Sequence, residues 1–172
     1  MNRDRRMGQA PPPAPIATRE VLGGGGVKLH AREWGNPQGP PLLFIHGWSQ
    51  SDLCWLNQVR GELASTSRMV TFDLRGHGLS DKPAGPEYYA DGQLWADDVA
   101  AVIDQAGPER PVLVAWSYGG YIVADYLRVY GDAHIGGINL VGAALTSHAW
   151  RDHHCPLSPA RYSTTRTSQL FQ

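Results

Sequence analysis

Residues 112–120 read VLVAWSYGG, an apolar run that leads directly into a serine and two glycines. The run at 111–116 is bounded by polar residues and is typical of a strand buried on both faces. A helical pattern follows at 118–130. Ser117 is therefore predicted to lie on the turn between a buried strand and the next helix. Such strand–helix units build sheets with parallel strands.

The rest of the chain repeats this alternation of short apolar runs and helical stretches. Strands are predicted at 41–45, 69–74, 111–116 and 135–145, and helices at 52–64, 94–106 and 118–130. Repeated strand–helix order implies parallel pairing through right-handed crossovers. The glycines at 23–26 join 18–22 to 27–34, which predicts an antiparallel hairpin at the sheet edge. The predicted fold class is α/β, with a mostly parallel open sheet of about six strands and flanking helices.

The composition is that of one soluble globular domain. The chain has 172 residues, 42% of them hydrophobic, and a formal net charge of -1. The 15 Lys and Arg residues are balanced by 16 Asp and Glu residues, so no positive field is available to hold a nucleic acid or an anionic membrane. No apolar stretch approaches the ~18 residues that would span a bilayer. Nucleic acid and membrane are therefore excluded as predicted partners.

Three segments are predicted along the chain. Residues 1–16 form a disordered leader, 17–145 the α/β core, and 146–172 an irregular tail without strand or helix patterns. Because the leader lacks the apolar segment of a signal peptide, the protein is predicted to be cytoplasmic. Cys54 and Cys155 have no metal-binding or disulfide spacing, and we interpret them as a small buried side chain and a tail thiol.

The segment around Ser117 resembles the nucleophile elbow of the α/β-hydrolase family. Ala115 stands where the usual G-x-S-x-G motif has its first glycine, and Gly119 and Gly120 follow the serine. The strained turn of an elbow accepts only small side chains at the positions two residues before and after the serine. The resemblance implies that Ser117 is the catalytic nucleophile and that the Tyr118 N–H donates to an oxyanion. The alternative is a serine that only caps a helix.

Residues 43–48, LFIHGW, resemble the His-Gly segment that faces the elbow in many α/β-hydrolases. The resemblance implies that the Trp48 N–H is the second oxyanion donor and that Gly47 permits the close backbone approach. His46 precedes the serine, whereas the catalytic histidine of the family follows it. We therefore interpret His46 as a structural histidine that hydrogen-bonds nearby backbone.

Residues 73–83, DLRGHGLSDKP, are similar to the D-x-R-G-x-G-x-S-D turn found in many members of the same family. Asp and Ser side chains that bond backbone explain a compact reversal there. Arg75 is expected to pair with Asp73 or Asp81, and His77 is expected to be structural. Together, the three segments extend the resemblance from about residue 21 to about residue 145.

The resemblance implies a serine hydrolase without a cofactor or metal, acting on small-molecule esters or related acyl substrates. The segments look most like those of small esterases, cofactor-free haloperoxidases and lactonases. Haloalkane dehalogenases and epoxide hydrolases carry an aspartate at the elbow, so Ser117 argues against both.

The chain departs from the family pattern after residue 145. The family supplies an acid and then a histidine from later strands, and no such strands are predicted here. Tail residues Asp152, His148, His153 and His154 are poor substitutes, because an acid adjacent to its histidine rarely points at the imidazole. A metal site at His153, His154 and Cys155 is disfavoured, since a second ligand pair is lacking.

The chain is accordingly predicted to be a C-terminally truncated family member with an unknown triad acid and histidine. A frameshift near Thr146 is one hypothesis for the change in composition. The strand at 135–145 would then end the sheet, and its free edge predicts self-association. Two functions stay open: a serine hydrolase, and an inactive or ligand-binding fragment of one.

Overall fold

Seven strands form one mixed sheet in the order β1-β2-β4-β3-β5-β6-β7. The computed structural model describes residues 14–143 and 145, together with the backbone of residues 162 and 163. The strands are β1 Ala17–Leu22, β2 Lys28–Gly35, β3 Pro41–Ile45, β4 Arg68–Phe72, β5 Val112–Trp116, β6 Gly137–Val141 and β7 Tyr162–Ser163. β2 runs antiparallel to β1 and β4, and all other pairs are parallel. The predicted α/β fold class and edge hairpin are confirmed.

Helices cover both faces of this sheet. They are α1 Leu56–Arg60, α2 Leu63–Thr66, α3 Glu87–Ala90, α4 Gly92–Ala106 and α5 Gly119–Tyr130, with 3₁₀ turns at Gly24–Gly26 and Asp52–Trp55. α4 and α5 pack into the larger of two core clusters, whereas Trp55 and Val59 belong to the smaller one. The sheet therefore separates two hydrophobic cores, as expected for strands buried on both faces.

The apolar face of α4 explains how this helix forms and what it buries. Trp95, Val99 and Val102 recur at helical spacing, and all three are buried. The Asp91 side chain accepts a hydrogen bond from the Gln93 N–H at the helix start, and Gly107 adopts a left-handed φ of 70° at its end.

The predicted helix at 52–64 is wrong as a single element. The segment contains a 3₁₀ turn, α1 and α2, with a break at Gly61, whose φ of -85° and ψ of -165° are extended. Glycine has a low helix propensity, and local apolar spacing does not reveal such a break. The predicted strand at 135–145 is also too long, because Gly142 turns the chain with a φ of 53° directly after β6.

The chain on either side of the core differs from the prediction at a few residues. In the predicted leader, the Ile16 N–H donates to the Glu33 carbonyl, so pairing with β2 begins before β1; residues 1–13 lie outside the described part. In the predicted tail, β7 pairs in parallel with Ile138 and Asn139 of β6. β6 is therefore not the terminal strand along its whole length. Self-association through this edge stays a prediction.

A fully buried ion pair joins the loop after β4 to α4. Arg75 and Asp98 both have side chains with 0% exposure, and their contact measures 2.7 Å from Nε to Oδ2. Arg75 also donates to the Gly24 carbonyl at 2.8 Å, and its guanidinium lies 5.6 Å from the Trp95 ring centre. Burial raises the pKa of the Asp98 carboxyl, and the hydrogen bonds from Arg75 oppose this rise.

The expectation that Arg75 pairs with Asp73 or Asp81 is therefore wrong. The Asp73 carboxylate is occupied by backbone N–H groups, and Asp81 accepts from the Lys28 N–H. Arg75 instead reaches across to Asp98 and the turn that connects β1 to β2.

Replacing Arg75→Met is expected to lower the free energy of unfolding by about 3–5 kcal/mol, because it leaves the Asp98 charge buried and unpaired. Urea denaturation at neutral pH measures the change. Arg128→Met is the matched control, since its 3.3 Å contact with Asp125 is partly exposed, and its expected cost is below about 1 kcal/mol. Equal costs for the two variants would contradict the role assigned to the buried pair.

Candidate active site

Ser117 lies directly after β5 with a left-handed backbone. Its φ is 53°, and only two other non-glycine residues in the described part share a positive φ. This conformation is unfavourable for a residue with a Cβ and persists only where surrounding structure enforces it. The Ser117 N–H donates to the Val141 carbonyl of β6 at 3.3 Å. The side chain is exposed at the carboxyl end of the sheet.

Small residues allow this turn to pack against β3. A Cβ on Gly119 would lie 2.7 Å from the Ile45 carbonyl oxygen, which is too close for any side chain. Ala115 is completely buried and faces Ile45 in the β3–β5 register. The Gly120 N–H then donates to the Ser117 carbonyl at 3.0 Å and starts α5. These residues place Ser117 at the N-terminus of α5, where the helix dipole is positive.

The loop after β3 lies against the serine. A Cβ on Gly47 would stand 3.1 Å from the Ser117 Cβ and 3.3 Å from the Trp116 ring. Glycine at this position therefore lets the loop approach the elbow. Trp48 follows, with 62% of its surface exposed, and its ring meets Tyr118 edge-on at 5.3 Å between centres.

Two backbone donors near Ser117 are unengaged. Within the described residues, neither the Trp48 N–H nor the Tyr118 N–H donates a hydrogen bond to a protein acceptor. One precedes α5 and the other lies in the loop that touches Ser117. Backbone N–H groups without protein partners can stabilise developing negative charge on a bound oxygen.

His46 is fully buried and both of its ring nitrogens are occupied. Its Nδ1 contacts the Gly47 carbonyl at 2.8 Å, and its Nε2 accepts from the Leu74 N–H at 3.0 Å. An Nε2 that accepts requires the proton on Nδ1, so the ring is neutral. Burial lowers the pKa of His46, which favours the same state. His46 therefore has no free nitrogen with which to accept a serine proton.

His77 and Asp73 are likewise engaged with backbone. His77 Nε2 accepts from the Ser49 N–H at 3.3 Å, and its Nδ1 contacts the Arg75 carbonyl at 2.9 Å. Asp73 accepts at 2.8 Å from the Asp52 N–H and at 2.8 Å from the Leu79 N–H. Asp73 thus links the loops after β3 and β4.

In the part of the chain that the structure describes, no histidine or carboxylate hydrogen-bonds Ser117. The tail residues considered from sequence, His148, Asp152, His153 and His154, lie outside that part. Cys155 lies outside it too.

The described residues offer no metal centre and no reactive thiol. No group of three or more His, Cys, Asp or Glu side chains among them is placed to hold a metal ion. Burial raises the pKa of the Cys54 thiol to about 12, so this thiol stays protonated. Among the same residues, no helix has both the length and the apolarity needed to cross a membrane.

Comparison with known proteins identifies the family. The family model described as "alpha/beta hydrolase fold" matches residues 40–156, more than half of the chain. The chain belongs to the α/β-hydrolase fold family. This α/β-hydrolase is 35% identical over 118 residues to the bifunctional esterase/perhydrolase of Acinetobacter calcoaceticus, covering 69% of this chain and 42% of that protein.

Further relatives of this α/β-hydrolase are named for different activities. It is 34% identical over 106 residues to epoxide hydrolase 1 of Caenorhabditis elegans, covering 62% of this chain and 26% of that protein. The crystal structure of an esterase from Rhodococcus sp. ECU1013 matches with a TM-score of 0.68 and 44% identity, covering 74% of this chain and 46% of that one. The chain therefore spans less than half the length of these relatives.

The sequence analysis did not predict a role for two residues that support the site, Asp98 and Ser49. Asp98 interrupts the apolar face of α4 between Trp95 and Val102, and a carboxylate on a buried face is a signal for a buried cation. Ser49 adopts a φ of 56° beside Trp48. No sequence pattern indicates a serine in that conformation, because its partner is His77, 28 positions away.

Gly119→Ala is expected to destabilise the fold by about 1–3 kcal/mol, because its Cβ would press on the Ile45 carbonyl. Thermal or urea unfolding measures this change. Gly137→Ala in β6 is the matched control, since the nearest atom to its Cβ would be a Val112 methyl group at 4.0 Å; its expected change is below about 1 kcal/mol. A neutral Gly119→Ala would contradict the close contact between elbow and β3.

His46 is expected to make stability depend on pH. Because burial lowers the pKa of His46, the unfolded chain binds a proton that the folded chain excludes. The free energy of unfolding should therefore fall as the pH drops below about 6.5, by at most about 1.4 kcal/mol per unit for this group. Urea unfolding between pH 7 and pH 5 measures the slope. The slope should be smaller in His46→Gln, and an unchanged slope would refute the assignment.

Proposed function

We propose that this α/β-hydrolase is a serine hydrolase of carboxylic esters or related acyl compounds, with Ser117 as nucleophile. The observation that carries the proposal is the strained, exposed Ser117 beside the Trp48 and Tyr118 N–H groups, which donate to no acceptor among the described residues. A strained residue held by its surroundings is characteristic of functional sites. Ser117 combines this strain with exposure to solvent at the carboxyl end of the sheet.

In the proposed reaction, Ser117 Oγ attacks the carbonyl carbon of the ester and gives up its proton to a base. The carbonyl oxygen becomes an anion, and the Trp48 and Tyr118 N–H groups donate hydrogen bonds to it. Collapse of the tetrahedral intermediate breaks the bond to the alkoxide, which takes the proton back from the base and leaves as the alcohol, and the acyl group stays on Ser117. Water then gives a proton to the same base and attacks the acyl carbon, and collapse of this second intermediate releases the acid and returns the proton to Ser117 Oγ.

The nucleophile type favours acyl chemistry over epoxide opening. An esterase/perhydrolase and an esterase are among the relatives, and so is an epoxide hydrolase. A serine adduct with a carboxylic acid is an ester that hydrolyses through the same oxyanion donors. An epoxide would instead give an ether on the serine, which has no carbonyl for water to attack. Ser117 thus supports an ester substrate.

Among the described residues no histidine or carboxylate hydrogen-bonds Ser117, and a second candidate applies if no other residue of the chain serves as the base. Without an imidazole, the chain would be a fragment that binds an acyl ligand or has no activity. An oxyanion site without its triad retains only about 10³–10⁴-fold acceleration over water. The two candidates predict different reactivity of the Ser117 hydroxyl.

A fluorophosphonate probe distinguishes the two candidates, because phosphonylation requires an activated serine. We expect a covalent adduct at Ser117 in the purified full chain, located by peptide mass spectrometry. Ser117→Ala should abolish the adduct, whereas Ser65→Ala, at an exposed serine whose hydroxyl donates to the Glu62 carbonyl, should leave labelling unchanged. A folded chain that is not labelled would overturn the hydrolase proposal in favour of the fragment.

A further inference from the structure

Two histidines hold the peptide groups on either side of Trp48. His46 contacts the Gly47 carbonyl at 2.8 Å. That carbonyl and the Trp48 N–H belong to one planar trans peptide and point in opposite directions. The bond from His46 Nδ1 therefore directs the Trp48 N–H away from the buried ring.

The next peptide group is held by His77. The Ser49 N–H donates to His77 Nε2 at 3.3 Å, and the Trp48 ring meets the His77 ring edge-on at 5.6 Å between centres. Ser49 has a φ of 56°, a conformation that needs outside support in a non-glycine residue. The loop is thus fixed at Ser49 by a group from a different loop.

His77 is itself anchored to the core. Its Nδ1 bonds the Arg75 carbonyl at 2.9 Å, and the Arg75 side chain is completely buried against Asp98. Its ring also meets the ring of the buried His46 at 5.2 Å between centres. A continuous series of contacts therefore connects Asp98 of α4, Arg75 and His77 with the peptide group between Trp48 and Ser49.

We propose that His77 is a positioning residue for the Trp48 N–H. It fixes the Ser49 peptide, and with it the rotation of the Trp48 backbone, so that the Trp48 N–H stays directed toward the oxygen it would bind. The catalytic meaning of this role rests on the proposed function of Ser117, but the positioning itself does not. His77 acts through Ser49 and Trp48 and need not touch the substrate.

Two substitutions separate the hydrogen bond from the ring contact. In His77→Phe an aromatic ring remains but the acceptor for the Ser49 N–H is lost. In His77→Gln the amide oxygen can still accept from Ser49, although the ring is lost. His134→Phe is the matched control, because His134 is exposed and lies after α5. Urea unfolding midpoints equal to that of the wild-type chain establish that each variant is folded before it is compared.

Amide hydrogen exchange, read by NMR on the full chain, gives the first measurement. We expect the Ser49 amide, whose N–H donates to His77 Nε2, to exchange at least about 10-fold faster in His77→Phe, with His77→Gln and His134→Phe close to wild type. Unchanged exchange in His77→Phe would overturn the positioning role. Equal acceleration in His77→Gln would also overturn it, since ring packing alone would then explain the effect.

The kinetics of fluorophosphonate labelling give the second measurement. The maximal labelling rate should fall about 10-fold to 100-fold in His77→Phe with little change in the half-saturating probe concentration, and His77→Gln should recover most of the rate. A rise in the half-saturating probe concentration with an unchanged maximal rate would overturn the proposal, because it would reflect weaker probe binding and not a misplaced N–H group. If the wild-type chain is not labelled, the proposed function fails, and the amide exchange decides the role of His77 independently.

Discussion

The site depends on the register between β3 and β5, in which Ile45 faces Ala115. Because the two strands are parallel, their carboxyl ends lie at the same edge, and the loops that follow them must meet there. The loops approach so closely that a Cβ at Gly119 would lie 2.7 Å from the Ile45 carbonyl oxygen and a Cβ at Gly47 would lie 3.1 Å from the Ser117 Cβ. A slip of one residue would place Trp116 opposite Ile45 and move Ser117 away from the loop that carries Trp48.

Polar contacts fix the loops once the register has placed them. Asp73 accepts N–H groups from the loops after β3 and β4, and the Ser80 hydroxyl donates to the Asp73 carbonyl at 2.5 Å. Arg75 extends from the loop after β4 into the core, where its guanidinium donates hydrogen bonds to the Asp98 carboxylate and the Gly24 carbonyl. Buried charges of this kind are costly unless every donor has an acceptor. The bonds of Arg75 therefore hold the loop after β4 against the core, and His77 belongs to that loop.

The parts of this architecture that local pattern dictates could be predicted from the sequence. The apolar run before Ser117 and the small residues around it predict the elbow, and the four glycines predict the hairpin between β1 and β2. Proximity in sequence gives the wrong partner for Arg75, because Asp73 and Asp81 are near whereas Asp98 is 23 positions away; the signal for Asp98 is its place on the apolar face of α4. The break at Gly61 and the short pairing of β7 with β6 also depend on tertiary contacts that leave no periodic signal.

The exposure of Ser117 and Trp48 bears on how strongly the two N–H donors could act. Hydrogen bonds to a developing anion are worth most where water is excluded, because the effective dielectric constant is then low. Within the described residues Trp48 is 62% exposed, so water reaches this surface in the unliganded protein. An ester with an apolar group lying on the Trp48 indole would displace that water itself. Substrate binding and oxyanion stabilisation would then be coupled: the same contact that holds the ester would strengthen the hydrogen bonds from Trp48 and Tyr118.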